Sequence, residues 1–292
     1  MNTNNSRTII KFESLDKELW LRRISSVRAR YGVNVYHKYI VLEFNSNLKS
    51  EDFEPIHFVT LACLIQFFDQ NNHKVLIASG NDSIRNMLFL DLRIQEYWSG
   101  GKNHVDSVSD NIFNLWRIIE SEKDLYAKNV ERYFKNNFFK GKDLSVISLS
   151  MIEAYYNVFD HADANGNAFS LIKYDDDDER LHVAICDFGK GIAKSVRDFT
   201  PDITNDRDAL LKSIETDFTV GSKSHNKGKG LDNILSCSSV VRIFCNNALL
   251  LKTDAGGVST FDVNFHFGGT LIYLEIDLSL TEDEEILEEF DL

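Results

Sequence analysis

With 292 residues, 43% apolar side chains and 21 phenylalanines, the chain has the material for a large core, which excludes a globally disordered protein. No run of about 18 apolar residues occurs, which excludes a membrane-spanning helix, and the opening MNTNNSRTIIKFESLDKEL lacks the apolar stretch of a signal peptide, so a cytoplasmic protein is expected. The formal net charge of −13 argues against general nucleic-acid binding, which needs a basic footprint. Cys63, Cys186, Cys237 and Cys245 are scattered without metal-ligand spacing and read as reduced, buried thiols.

Residues 1–30 are polar and charged, with a helical stretch around Leu15–Ile24. The run from Tyr36 to Phe44 reads as a strand, 56–70 as a buried helix, KVLIAS (74–79) as a second strand and 83–92 as another helix. That order predicts an α/β unit with helices packed on a sheet. From about Ser107 to Phe139 the chain is amphipathic and mixed in charge, which predicts one or two helices, and a further helix follows Gly141 to about Ala162. AFSLIKY and RLHVAICDF alternate around the turn DDDDE and predict an antiparallel hairpin, with Asp175 to Glu179 most simply a solvated turn, the alternative being a carboxylate metal site. A loop rich in Lys, Ser and Asn (Ser213 to Lys229) leads to a helix from Leu231. Four strands come next, VVRIFC, ALLLKT, VSTFDVNF and TLIYLEIDL, and the second half is expected to be α+β. The terminal TEDEEILEEFDL (281–292) carries seven acids and no base and reads as a solvated acidic tail, the alternative being a docking or autoinhibitory segment.

Four segments carry chemistry. On the helix 149–161, Glu153, Asn157 and His161 stand at i, i+4 and i+8 and share one stripe. The stripe is either an ordinary exposed face or an inward site where Asn157 offers its amide oxygen to Mg²⁺ and Glu153 handles a proton. Asp187-Phe188-Gly189-Lys190-Gly191-Ile192 comes directly after a strand, and its alternate glycines let backbone pass close to a flat ligand while the carboxylate accepts from an exocyclic amine. The Asp-Phe-Gly triplet is not a protein-kinase motif here, because no HRDxxxxN loop or VAIK-like lysine precedes it, and no GxxxxGK[ST] P-loop is present. The run from Gly221 to Leu231 places Lys223, Lys227, Gly228, Lys229 and Gly230 before a helix, which suits a polyphosphate, the alternative being a solvated loop. Gly268-Gly269-Thr270 enters the last long strand, where the Thr270 hydroxyl could stand near a base.

In this order the segments resemble the GHKL superfamily of DNA gyrase, mismatch-repair ATPases, heat-shock chaperones, histidine kinases and anti-sigma serine kinases. EAYYNVFDH matches the N box, DFGKGI the G1 box, GKGL the G2 box and GGT the final box, over roughly residues 106–280. The resemblance implies an α+β two-layer sandwich (the Bergerat fold) holding ATP and Mg²⁺ beneath a mobile lid at about Val196 to Lys227. It implies Asn157 as the Mg²⁺ ligand, Asp187 at the adenine amine, and Gly189, Gly191 and Ile192 shaping the adenine pocket. Gly221, Lys223, Gly228, Lys229, Gly230 and Leu231 would serve the phosphates, Thr270 would support the base, and Glu153 would be the catalytic base. The N box is most similar to that of the anti-sigma serine kinases, and residues 1–105 resemble a STAS-type domain, the fold of the anti-sigma antagonists. In that family a phosphoacceptor serine would fall near Glu54-Pro55-Ile56-His57, where this chain has neither Ser nor Thr.

The resemblance thus implies a Mg²⁺-dependent ATPase or protein Ser/Thr kinase acting in signalling or regulated assembly, or else a nucleotide-gated interaction switch with little turnover. Either would engage a protein partner or phosphoacceptor, and the long helical stretch before the nucleotide unit is compatible with a homodimer. An orphan histidine kinase is disfavoured, because no H-E-[LI]-x-x-P-L helix occurs.

Overall fold

Two sheets organise the chain, one parallel and one antiparallel. The computed structural model describes residues 7–31, 38–158, 164, 166–215, 218, 230–279 and 281–283. The N-terminal unit runs β1 (Arg7–Phe12), α1 (Lys17–Tyr31), β2 (Tyr39–Phe44), α2 (Pro55–Gln70), β3 (Lys74–Ser79), α3 (Asp82–Asn86) and α4 (Gln95–Trp98), with one π-turn at Met87–Asp91. Its strands pair in parallel in the order β1-β2-β3, each joined to the next by a helix-containing crossover, as parallel neighbours need. β1 is not expected from the polar start, but RTIIKF alternates, and pairing with β2 buries Ile10 and Phe12. Pro55 begins α2 where no helical N–H partner is needed, and a capping box closes the turn, the Glu54 N–H donating to His57 Nδ1 at 2.9 Å.

The second unit runs β4 (Ile112–Arg117), α5 (Lys123–Asn137), α6 (Ser145–Asn157), β5 (Ala168–Asp175), β6 (Arg180–Asp187), α7 (Ile192–Phe199), α8 (Asp206–Ser213), α9 (Gly230–Cys237), β7 (Val240–Lys252) and β8 (Val258–Asp277). Its antiparallel sheet has the order β4-β5-β6-β8-β7. Two expectations are corrected here. The stretch 107–139 is not all helix, because IFNLWR forms the edge strand β4 against β5 and only Lys123–Asn137 is a long helix. The four late strands are two long ones, each continuous through a kink, at Asn246 (φ 53°) in β7 and Gly269 (φ 114°) in β8. The helix foreseen to about Ala162 is described as far as Asn157 and Val158; residues 159–163 lie outside the described residues.

Strand alternation assigns the two faces of this sheet. Leu181, Val183 and Ile185 of β6 pack with α5, α6 and α9, whereas Ala184 and Cys186 join the core that holds α1, α2 and the parallel sheet. Helices α1 and α2 therefore lie between the two sheets, and the N-terminal unit covers the back of the antiparallel one. No helix among the described residues is long and apolar enough to cross a membrane.

Candidate functional site

Because Asp187 continues the odd-numbered face of β6 after Val183 and Ile185, its carboxylate lies on the α6 side of the sheet end. Thr270 of β8 stands directly opposite it in the ladder, and Ile272 opposite Ile185. Asn157 and Val158 at the end of α6, Ala154 one turn earlier and Ile192 at the start of α7 complete one small cavity with these residues. Four residues singled out from the sequence, Asn157, Asp187, Ile192 and Thr270, thus converge. The cavity is about 10 Å³, room for one water at most and far below the roughly 300–1,000 Å³ of ligand pockets, so a base would enter only if its walls part.

Asp187 is 1% exposed, and burial pushes its carboxyl up to about 6, opposed by hydrogen bonds from Gly189 and Thr270 and by the positive charge of Arg28. The Gly189 N–H donates to Oδ1 at 2.7 Å. A carboxylate this deeply buried, with no salt bridge among the described residues, is costly, and such groups cluster at functional sites. The Asn157 amide nitrogen donates to the Glu153 carbonyl at 2.9 Å, which leaves Oδ1 as the acceptor that a hard cation would use.

Glu153 is half-buried one turn before Asn157. Burial raises its carboxyl above the usual range, partly offset by the Asn233 amide of α9, which donates to Oε1 at 3.3 Å. Gly230 opens α9, and Leu231 is buried in the helix-side core, which anchors that helix next to Glu153. Gly221, Lys223, Gly228 and Lys229, and His161 on the α6 stripe, lie outside the described residues. Of the lid segment, α7 and α8 are described and pack on each other and on β7.

The glycines at the sheet end are there for space. At Gly191 (φ 86°) a Cβ would stand 2.8 Å from the Gly269 carbonyl and 2.9 Å from both Asn246 Oδ1 and Cys245 Sγ; at Gly269 it would stand 2.1 Å from the Asp187 carbonyl. Only a backbone without side chains lets these two turns interlock. The first N–H groups of α7 are then capped from β7 and β8: Ile192 to Thr270 Oγ1 at 3.3 Å, Ala193 to Cys245 Sγ at 3.1 Å and Lys194 to Asn246 Oδ1 at 3.1 Å. Burial drives the Cys245 thiol up to about 12, so it stays a neutral packing group.

Sequence reasoning missed Asn233, Cys245, Asn246, Asn167 and Arg28. Asn233 stands three residues after Gly230 and could have been found from helical spacing; the others are brought in by tertiary packing, with no local signal. In the DDDDE turn, Asp175 and Asp178 carry Asx-type bonds to Asp177 and Arg180, and His182 lies 3.6 Å from Asp178, in keeping with a solvated turn. No protein-family model matches the chain, and no curated protein matches it.

Proposed function

We propose that the chain is a Mg²⁺-dependent ATP-binding protein of the GHKL type, an ATPase or protein Ser/Thr kinase in signalling or regulated assembly. The observation that carries this reading is the convergence of the Asn157 amide and the buried Asp187 carboxylate on one cavity, which Ile192 and Thr270 also line. Two separated surfaces would have left the same motifs without a common ligand.

In this reading Asp187 holds the adenine amine, its orientation set by the Gly189 N–H, while Ile192 and Ile272 supply the apolar faces for a flat ring. Asn157, held to its own helix by its amide nitrogen, directs Oδ1 to Mg²⁺. When bound, Mg²⁺·ATP supplies the transferable phosphoryl group and the neutralising charge. Glu153, with its carboxyl raised by burial, takes the proton of the attacking water or hydroxyl, and Asn233 holds the carboxylate in one rotamer. The segment carrying Gly221, Lys223, Gly228 and Lys229, with Gly230 at the start of α9, is the proposed phosphate cradle.

The small cavity favours a second reading of the same site, a nucleotide-gated interaction switch, because prising its walls apart links base binding to movement of α6, α7 or β8. ATP affinity and Mg²⁺-dependent hydrolysis of the wild type and Asn157→Ala test the proposal. Asn157→Ala should lose the Mg²⁺-dependent part of the affinity and nearly all turnover; equal Mg²⁺ dependence in the two proteins would refute the assignment. Tight binding with negligible wild-type hydrolysis, with ATP protecting the lysines at 223, 227 and 229 from trypsin, selects the switch.

A further inference from the structure

The peptide unit joining Phe188 to Gly189 is gripped from both sides of the sheet. Its N–H, that of Gly189, donates to Asp187 Oδ1 at 2.7 Å. Its carbonyl, that of Phe188, accepts from Arg28 Nη2 at 2.8 Å, and Arg28 comes from the last turn of α1, 160 residues away. A peptide plane is rigid, so its two ends cannot turn independently. Whatever rotates the carbonyl away from Arg28 also swings the N–H away from the Asp187 carboxylate.

Arg28 is itself fixed. Its guanidinium lies 4.3 Å from the Phe188 ring centre and 5.9 Å from that of Phe67 on α2. Gly268 makes room for it, since a Cβ there would stand 2.6 Å from Nη1. Nη1 is buried with no hydrogen-bond partner among the described residues, a cost that packing alone does not explain. The other end of Phe188 is also tied to the N-terminal unit. Its N–H donates to the Asn167 carbonyl at 3.1 Å, and the Asn167 amide donates to the Cys63 carbonyl of α2 at 3.1 Å. Among the described residues, the titratable neighbours of Asp187 are Arg28 of α1, Cys186 of β6 and Cys245 of β7, and of these Arg28 alone is charged.

We infer that Arg28 is a positioning residue for the nucleotide site, through which the N-terminal unit sets how selectively the site holds an adenine base; this rests on the ATP reading above. It acts through the 188–189 peptide and touches no ligand. A partner that displaced α1 would release the peptide and lower base affinity, which makes the N-terminal unit a regulator of the site as well as its cover.

The test uses the full chain with Arg28→Met and Arg28→Lys, titrated calorimetrically with ATP and with ITP, whose base carries a carbonyl in place of the exocyclic amine. Wild type should prefer ATP by tenfold or more. Arg28→Met should lose about tenfold in ATP affinity with little change for ITP, collapsing the preference, and Arg28→Lys should recover part of it through its remaining donor. In an Asp187→Asn background Arg28→Met should change ATP affinity by less than twofold, because the two residues act through one peptide. An unchanged ATP:ITP ratio in Arg28→Met, or equal loss for both nucleotides, overturns the inference while leaving the ATP reading intact. A wild type that binds neither nucleotide overturns that reading itself. Should Arg28→Met not fold, amide exchange of Gly189 in Arg28→Lys decides: faster exchange than wild type supports the coupling, and equal exchange refutes it.

Discussion

Replacing Asp187 with Asn should stabilise the fold while removing the function. In the folded chain the carboxyl sits at about 6 against an ordinary 3.8, so folding holds its charged form at a disadvantage. A raised carboxyl costs nothing well below pH 3.8, and the cost grows as pH climbs towards 6 and is complete above it; at pH 8 it amounts to about 3 kcal/mol. Asparagine keeps an oxygen for the Gly189 N–H and never ionises, but it loses an acceptor for Thr270, worth about 1 kcal/mol. The variant should therefore be more stable than wild type by about 2 kcal/mol at pH 8, and near parity at pH 4.5, where the cost of the charge is about 1 kcal/mol. Urea denaturation of both proteins without nucleotide, monitored by tryptophan fluorescence at the two pH values, measures that gap. ATP affinity should fall about 10- to 100-fold, the range of a lost hydrogen bond to a charged acceptor. Equal stability differences at both pH values would show that the carboxyl is not buried in its charged form, and retained ATP affinity would remove it from the base site.

Two further substitutions probe the site from other sides. Glu153→Gln should keep ATP affinity within about threefold and lower turnover by about 100-fold or more, as removal of a general base does; undiminished steady-state phosphate release would assign the base elsewhere. Gly269→Ala should destabilise the chain by about 2–5 kcal/mol in urea melts, since it adds a left-handed strain of about 1–3 kcal/mol to a Cβ placed against the Asp187 carbonyl. A change below about 1 kcal/mol would mean that the β8 kink relaxes freely.

The sequence was legible where one face or one turn decides the outcome. Alternation in RLHVAICD placed β6 and put Asp187 at its end. KVLIAS became β3 with the bounds expected from its apolar run. Where two interactions compete, local pattern failed. IFNLWR lies in a charged, amphipathic stretch whose helical period masks a six-residue edge strand, and only pairing with β5 reveals it. The late strands looked like four because Asn246 and Gly269 interrupt alternation, although the ladder continues past both. The site was legible as a set of residue types, but its supports were not. Arg28 stands in an ordinary-looking basic helix end, and only packing across 160 residues sets it behind the Asp-Phe-Gly turn.

The back of the antiparallel sheet explains why the two units cannot be treated as independent. Phe169, Leu171, Phe244, Phe267, Leu271 and Tyr273 are all buried there against α1, α2 and their neighbours. At about 1.5–3 kcal/mol for each large apolar side chain, uncovering these six costs on the order of 10 kcal/mol, comparable with the whole stability of an ordinary domain. A chain beginning at residue 106 would keep every motif of the candidate site yet lose this cover and Arg28 with it. Such a fragment should aggregate, or bind a hydrophobic dye with weakened near-ultraviolet dichroism, and should not bind ATP. If it instead folds as a soluble monomer with wild-type affinity, the N-terminal unit is a passenger, and the coupling across the 188–189 peptide carries no free energy to the ligand.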